Sequence, residues 1–483
     1  VNLACIVLAA GLGKRMHSSL PKVLHRIHGT SMIQSVLDTV YGLDPEKVIV
    51  VVGKHGKDVK ESIKVDINAR RHDRSVSFAQ QKEAKGTAHA LLNALPFMKG
   101  FQGTVLVMNG DTPLISLGTL KKIISLHRKN NDIVSLLSFQ AHDPGSYGRI
   151  IRDRGGRVLS VIEDRDATAS QKKIKEVNSG VYVFETEALR LLNKIRMNVS
   201  KGEYYLTDII NIARGKGIKT SAYSIGDEDE CIGVNTLEDL EKVRKIMSEK
   251  IINRWKRRGI RFIDTKSVFI DSHVTIGRGT TVYPNVHLEG QTRIGNECTI
   301  YPNVRVSDSF IEDRVIIKDC TLIESSVVKK TASVGPFAHL RPGSEIGRGA
   351  RIGNFVEVKK SVVGTGTKAG HLSYLGDAQI GKNVNIGAGT ITCNYDGKKK
   401  HATVIKDNVF VGSDTQFIAP VEVGRGAYIG AGSTITKDVQ AHALALSRVE
   451  QRQINGWASR RKETRKTSVS KRRRIKKGPR AKS

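Results

Sequence analysis

Aromatic side chains are scarce in this chain: Trp, Tyr and Phe together make up 5% of its 483 residues. A core built around large rings is therefore excluded. Hydrophobic residues as a whole reach 39%, below the roughly 45–50% of an average globular protein. Proline is sparse too, at 11 residues, whereas glycine reaches 46. That balance suits a fold of repeated small-residue turns. The five cysteines, Cys5, Cys231, Cys298, Cys320 and Cys393, are scattered. They form no CxxC pair for zinc or redox chemistry and are too few for a disulfide framework, so a reducing compartment, the cytoplasm, is expected. No apolar run approaches the roughly 18–20 residues that cross a bilayer, so no membrane insertion is expected. The opening VNLACIVLAAGLG has no basic segment before it and Lys14-Arg15 after it. It reads as a buried strand, not a signal peptide.

Acidic residues are the other deficit. Asp and Glu number 47 against 79 Lys and Arg, for a formal net charge of +32. Such an excess invites anionic partners: nucleic acid, acidic membrane surface or phosphorylated substrates. It is unevenly spread, because residues 459–483 hold 13 Lys and Arg against Glu463 alone. The tail reads as a disordered, solvated extension. Weak, salt-sensitive nucleic-acid contact is its functional alternative.

The length predicts two or three domains. Up to residue 234 the chain alternates short β-rich runs (Ala4–Ala9, Val48–Val52, Thr104–Met108, Ile133–Leu137, Gly180–Phe184) with amphipathic stretches such as Ser31–Tyr41. Near-continuous apolar strands separated by helices predict a mostly parallel sheet covered on both faces, a Rossmann-like α/β domain over 1–234. Ligands of such sheets bind at the carboxyl ends of the strands. Residues 235–258 lack Gly and Pro and read as one charged helix, a linker with Gly259 as its cap. From 259 to 458 the period becomes six. Ile270, Ile276, Val282, Leu288, Ile294, Ile300 and Val306 recur without a break. After five-residue slips the series runs on through Ile311–Ile323 and Val328–Val358, then from Ile405 to Ile435. Glycine often follows the aliphatic position. Neither a helix nor an ordinary strand has that period; a left-handed parallel β-helix of three short strands per coil does. One polar, basic insertion, Cys393–Thr403, interrupts it.

The segment Leu8-Ala-Ala-Gly-Leu-Gly-Lys-Arg-Met16, followed by Leu20-Pro-Lys-Val-Leu24, falls after the first strand. Gly11 and Gly13 let backbone N–H groups approach an anion, and Arg15 and Lys22 add positive charge. The spacing fits neither the dinucleotide fingerprint nor a Walker loop. The glycines alone are also compatible with an ordinary turn.

The whole string is more specific. LAAGxGxRM followed by LPK resembles the sugar-nucleotidyltransferase superfamily. Joined to hexapeptide repeats, it resembles the bacterial GlmU family, bifunctional N-acetylglucosamine-1-phosphate uridyltransferases and glucosamine-1-phosphate acetyltransferases. The resemblance spans about residues 3–456 and includes QQKEAKGTAHA, NGDTPL, YGRI, IEDRDAT, NSGVY, GVNTLEDL, GNFVEVKK, KAGHLSYLGDA and NIGAGTITCNYDG. It implies that Leu8, Ala9, Ala10, Gly11, Gln81, Gly86 and Thr87 hold the uracil nucleotide of UTP, with Arg15 and Lys22 on its phosphates and Asn109-Gly110 beside it. Asp111 and Asn235 would position Mg²⁺. Gly148, Glu163 and Asn178 would hold the N-acetylglucosamine moiety. For the second reaction it implies His371 as general base and Arg341, Lys359, Tyr374 and Asn385 on glucosamine-1-phosphate. Acetyl-CoA would lie along Ala388, Asn394, Tyr395, Lys400, Ser413, Ala431 and Arg448. It also implies a homotrimer. The residue types suit the chemistry. Mg²⁺ takes a few protein oxygens plus phosphates, nucleotidyl transfer needs positioning and charge neutralisation rather than a protein nucleophile, and imidazole titrates near neutrality. Two positions depart from the family pattern: Asn109 replaces a usual Tyr, and His339 a frequent Arg. The rival readings are a nucleotidyltransferase with a merely regulatory β-helix and a non-enzymatic assembly subunit.

Overall fold

The computed structural model describes residues 2–11, 13–69, 75–199, 202–462 and 465. The expectation of disorder for 459–483 therefore falls mainly outside the described residues. Contacts divide the chain into two compact units, 1–337 and 338–483. The division lies inside the hexapeptide region rather than at the long helix.

The first unit begins with a sheet whose main path has seven strands. In chain order they are β1 (Leu3–Ala9), β2 (Lys47–Val52), β3 (Ser77–Gln80), β4 (Thr104–Asn109), β5 (Val134–Gln140), β6 (Glu176–Glu185) and β7 (Thr220–Gly226). Their spatial order is β7-β5-β6-β4-β1-β2-β3. The pairs β1–β2, β1–β4, β2–β3 and β5–β7 are parallel. Strand β6 runs antiparallel to both β4 and β5, so the sheet is mixed. The unbroken apolar character of β1 has a simple cause: both faces are covered. Ala4 and Ile6 join one buried cluster with Ala88 and Leu91 of the helix Thr87–Ala94. Cys5 and Val7 join another with Val36 and Leu37 of the helix Met32–Tyr41. The N-terminal apolar run is thus a central strand, with Ala4, Ile6 and Val7 wholly buried.

A helix spans Leu237–Arg257. Thr236 caps it reciprocally with Asp239: the Asp239 N–H donates to Thr236 Oγ1 (3.2 Å), and the Thr236 N–H donates to Asp239 Oδ2 (3.0 Å). Satisfying both donors in this way is the capping box. At the other end Gly259 adopts φ +87°. Its N–H reaches Lys256 O, and the Ile260 N–H reaches Trp255 O, a left-handed glycine stop. The buried stripe Leu240, Val243, Ile251, Ile252 and Trp255 fixes its orientation. Among the described residues no helix is long and apolar enough to cross a membrane.

Short parallel strands follow in both units, and within each unit they build coils of the left-handed parallel β-helix type. In the first unit Ile276–Ile294–Ile311–Val328, Val282–Ile300–Ile317–Val334 and Leu288–Val306–Ile323 stack as three inward-facing columns. In the second unit Ile352–Ala369–Ile386–Val411–Ile429 and Ile346–Val363–Ile380–Ile405–Val423 do the same. Every aliphatic position of the six-residue series is buried. The slips in period are corner deletions. Ile276 pairs with Ile294, but Ile294 pairs with Ile311, one residue sooner, and the side chains still point inward. The insertion lengthens one coil, so that Ile386 pairs with Val411.

The glycines after the aliphatic positions serve coil stacking rather than an unusual φ. A Cβ on Gly295 would sit 2.6 Å from Asp313 N and Glu312 C. The left-handed corners are mostly built from other residues, such as Asn285, Asn303 and Arg314. Gly295→Ala is therefore expected to destabilise the first unit by about 1–3 kcal/mol through overpacking against backbone. The denaturant midpoint of unfolding measures it.

Candidate active sites

The first candidate site is a cleft of about 240 Å³ at the carboxyl ends of β1 and β4. Leu8, Thr87, Asn109, Asp111, Gly148, Glu163, Asn178 and Asn235 all line it. Asp111 and Asn235 are distant in sequence and are joined by backbone: the Val234 N–H donates to Asp111 O (2.9 Å). Between their side chains lies the Lys22 ammonium, ion-paired with Asp111 and donating to Asn235 Oδ1 at 3.2 Å. Both members of that ion pair are largely shielded from solvent, at 10% and 20% side-chain exposure. Two oxygen donors thus converge on a cation. Among the described residues no cluster of three or more His, Cys, Asp or Glu side chains forms a ready-made metal cage.

The glycine loop is shaped by Lys22. Gly13 has φ +62°, and a Cβ there would lie 2.7 Å from Lys22 Cβ, whereas Gly11 faces open space. Ala9, Ala10 and Gly11 border a small hollow beside the main cleft, with Gly53 and His55. Arg15 is exposed on the turn Lys14–Met16. Gln81 is buried and committed to its neighbours: its Nε2 meets Gly86 O at 3.2 Å and His89 Nδ1 at 3.0 Å. Gly86 has φ +95°, and a Cβ on it would strike the Tyr204 backbone at 2.6 Å. Gly110 donates its N–H to Leu8 O, tying the ends of β1 and β4 together. The Asn109 side chain lies against Gly180, where a Cβ would fall 2.4 Å from Asn109 Nδ2.

Burial holds the Glu163 carboxyl above its ordinary range. A hydrogen bond from Thr207 (3.0 Å) pulls the other way, and the Asp166 and Asp208 carboxylates push it up further. Thr207 and Tyr182 were not singled out from the sequence. Tyr182 OH accepts from Asn178 Nδ2 at 2.9 Å. Tyr182 stood inside the NSGVY motif, but nothing in the sequence marked Thr207. Cys231 also lines the cleft, yet burial pushes its thiol up to about 12. A thiol held there supplies almost no thiolate at neutral pH.

The second candidate site lies on the coils of the second unit. The adjacent strands Arg351–Lys359 and Lys368–Gly376 pair through seven registers, far longer than the two- and three-residue strands of most coils. His371 pairs with Asn354 in this ladder, and its Nδ1 stands 2.7 Å from Asn354 Oδ1. Arg341 Nη1 pairs with Glu357 Oε1 at 2.8 Å, and Glu357 is in register with Tyr374. Lys359, Lys400 and Arg341 crowd together: contact with Lys400, then the Arg341 charge, depress the Lys359 ammonium. Three cations in one place, only Arg341 of them shown paired with a carboxylate, Glu357, can offset negative charge. His339 pairs with Glu357 in the strand below. Asn385 is in register with Lys368, at the start of the His371 strand.

Four of the expected acetyl-CoA residues form a column, one per coil. The Asp414 N–H donates to Ala388 O (2.7 Å), the Gly432 N–H to Ser413 O (2.8 Å), and Arg448 Nη1 to Ala431 O (3.1 Å). The insertion is ordered by Asp396, which accepts from the Lys398 and Lys399 N–H groups and from His401 Nε2. These bonds hold its carboxyl far below the usual range. Asn394 anchors the insertion to Asp377, while Tyr395 bridges to Lys400 and is 61% exposed. Asn354 and Glu357 are the residues here that sequence reasoning missed; both lay in the GNFVEVKK motif.

Residues 4–230 match the nucleotidyl transferase family model, and residues 273–308 and 402–437 the bacterial transferase hexapeptide model. The chain is 49% identical to the bifunctional protein GlmU of Thermodesulfovibrio yellowstonii over 458 residues, which is 95% of this chain and 99% of that one. It is 44% identical to that of Clostridium novyi, over 95% of this chain and 98% of the relative. With Pelobacter propionicus the figures are 43%, 96% and 99%. Identity of this extent, over a nucleotidyl transferase domain and a hexapeptide β-helix together, places the chain in the bifunctional GlmU family.

Proposed function

We propose that the chain makes UDP-N-acetylglucosamine in two steps: acetylation of glucosamine-1-phosphate from acetyl-CoA, then uridylyl transfer from UTP to the product with release of pyrophosphate. The proposed parts are 1–234 for uridylyl transfer, 235–258 as helical linker, 259–458 for acetyl transfer and 459–483 as a basic tail. The observation that carries the first activity is the convergence of Asp111 and Asn235 on the Lys22 ammonium. The ammonium is a stand-in: a site that already holds a cation with two oxygen donors fits Mg²⁺, which completes its shell with phosphates and water. When bound, Mg²⁺ supplies charge neutralisation on the triphosphate. Arg15 and Lys22 share that task. Gly86 and Gln81 fix the loop that faces the base, and Glu163, Asn178 and Gly148 orient the sugar. The sugar phosphate oxygen attacks the α-phosphorus of UTP, and the bond to the pyrophosphate oxygen breaks. No protein nucleophile takes part, which agrees with the inert Cys231.

In the second reaction the glucosamine amine attacks the thioester carbonyl. The C–S bond breaks, coenzyme A leaves as thiolate, and His371 removes the proton from the amine. The neighbouring cations Arg341 and Lys359 support binding of the sugar phosphate, with Tyr374 and Asn385 beside the sugar, and Lys400 next to them supports binding of acetyl-CoA. The column Ala388–Ser413–Ala431–Arg448, with Asn394 and Tyr395, supports an extended acetyl-CoA. A homotrimer and a cytoplasmic location belong to the same reading.

Asp111→Asn is expected to lower pyrophosphate release from UTP, N-acetylglucosamine-1-phosphate and Mg²⁺ at least about 100-fold, since losing even an outer partner of a metal costs up to that much. Thiol release from acetyl-CoA should persist. His371→Ala should do the converse, cutting thiol release by about 10²–10⁴-fold, the worth of a general base, and sparing pyrophosphate release. Loss of both activities in either variant would count against two independent sites, and silence of the unmodified protein in both assays against the function. Removal of residues 459–483 should spare both activities and abolish any salt-sensitive RNA retention; retention after removal overturns the tail's role.

A further inference from the structure

The geometry points to Asn354 as the positioning residue of His371, the group that fixes which ring nitrogen is free to take the proton. The inference rests on the proposed role of His371 as base. Four observations carry it.

The first is the contact itself. His371 Nδ1 lies 2.7 Å from Asn354 Oδ1. An amide oxygen only accepts, so the ring must carry its proton on Nδ1, and the lone pair is then left on Nε2. A histidine that acts as base needs one nitrogen in that state and a partner that holds the other. The second is register. Asn354 and His371 are paired residues on adjacent coils of the longest ladder in the β-helix. Their separation is set by strand spacing rather than by a flexible loop.

The third is a close approach just before the pair. A Cβ on Gly353 would lie 1.8 Å from Gly370 O and 2.5 Å from Gly370 C, while Gly370 itself faces open space. The two coils are therefore pressed together immediately ahead of Asn354 and His371, and only glycine at 353 allows it. The fourth is backbone strain immediately after the pair. Phe355 and Leu372 follow Asn354 and His371, and both adopt left-handed φ, +56° and +43°. Both are exposed, at 58% and 62%. Bulky residues there cost free energy that an asparagine or glycine would avoid. The two strained residues bend both strands in step, so Asn354 and His371 stay side by side in the ladder.

The choice of an amide has a chemical consequence. A carboxylate in its place would accept the same Nδ1–H, but it would also favour the imidazolium and hold the ring charged. The neutral amide orients the ring without that bias.

The test uses the full chain, with Asn354→Ala and Asn354→Asp set beside His371→Ala. In Asn354→Ala, kcat for thiol release is expected to fall about 10–100-fold, the usual cost of losing an orienting partner. KM for glucosamine-1-phosphate should stay within about twofold, because the loss lies in the transition state. Asn354→Asp is expected to recover most of the rate and to move the acid limb of its pH profile to higher pH. In ¹⁵N-histidine-labelled protein the His371 ring should show the Nδ1–H tautomer, and in Asn354→Ala a mixture with Nε2–H. An unchanged thermal-unfolding transition of the second unit reports that each variant is folded. The proposal is overturned if Asn354→Ala keeps the wild-type rate and tautomer, or if Asn354→Asp loses activity like Asn354→Ala with an unmoved pH profile. If His371→Ala itself keeps full thiol release, the base assignment fails instead, and that outcome is separately visible.

Discussion

Coil-on-coil register is the constraint on which the acetyl-transfer half depends. Neighbouring strands in a sheet lie about 4.8 Å apart, and each coil of the β-helix repeats that step with an aliphatic side chain in the bore. Outward-facing residues one coil apart are then neighbours whatever their chemistry. Asn354 meets His371, Glu357 meets Tyr374, and the backbone oxygens of Ala388, Ser413 and Ala431 stand in a column. The repeat resembles a ruler: a residue placed once per turn marks a line on the surface. Glycine at the stacking positions keeps the marks close, since a Cβ at Gly353 or Gly387 would press into the next coil's backbone.

The nucleotidyl transferase half uses a different device. Its strands are buried on both faces, so their side chains are spent on packing, and chemistry is left to what emerges at their carboxyl ends. Strand β4 ends on Asn109 and delivers Asp111, β1 leads into the glycine loop, and the turn before the long helix delivers Asn235. Lys22 ties these three pieces together. Its ammonium is at once a structural clasp for the cleft and a marker of where positive charge belongs.

Much of this is legible in the sequence because it follows from local rules. The six-residue period of aliphatic residues leaves no alternative to a β-helix, and the slips at Val306 and Ile323 are absorbed at corners. Gly259 ends the long helix by the expected left-handed turn, and Ala4–Ala9 makes an interior strand. The reversal of β6 was not legible, since an apolar strand covered on both faces looks the same in either direction. Nor was the reason for the glycines after the aliphatic positions, which lies in the neighbouring coil rather than in the turn.

The sequence by itself determined the two architectures, the order of their parts and the family, because periodicity and motif strings are properties of the chain alone. Only the tertiary structure decided which functional groups touch. Lys22 and Asn235, or Asn354 and His371, are brought together by a strand end or a coil step, and no local pattern encodes such a contact. The tautomer of an imidazole depends on the atom opposite its Nδ1, and that atom is supplied by a different turn of the chain.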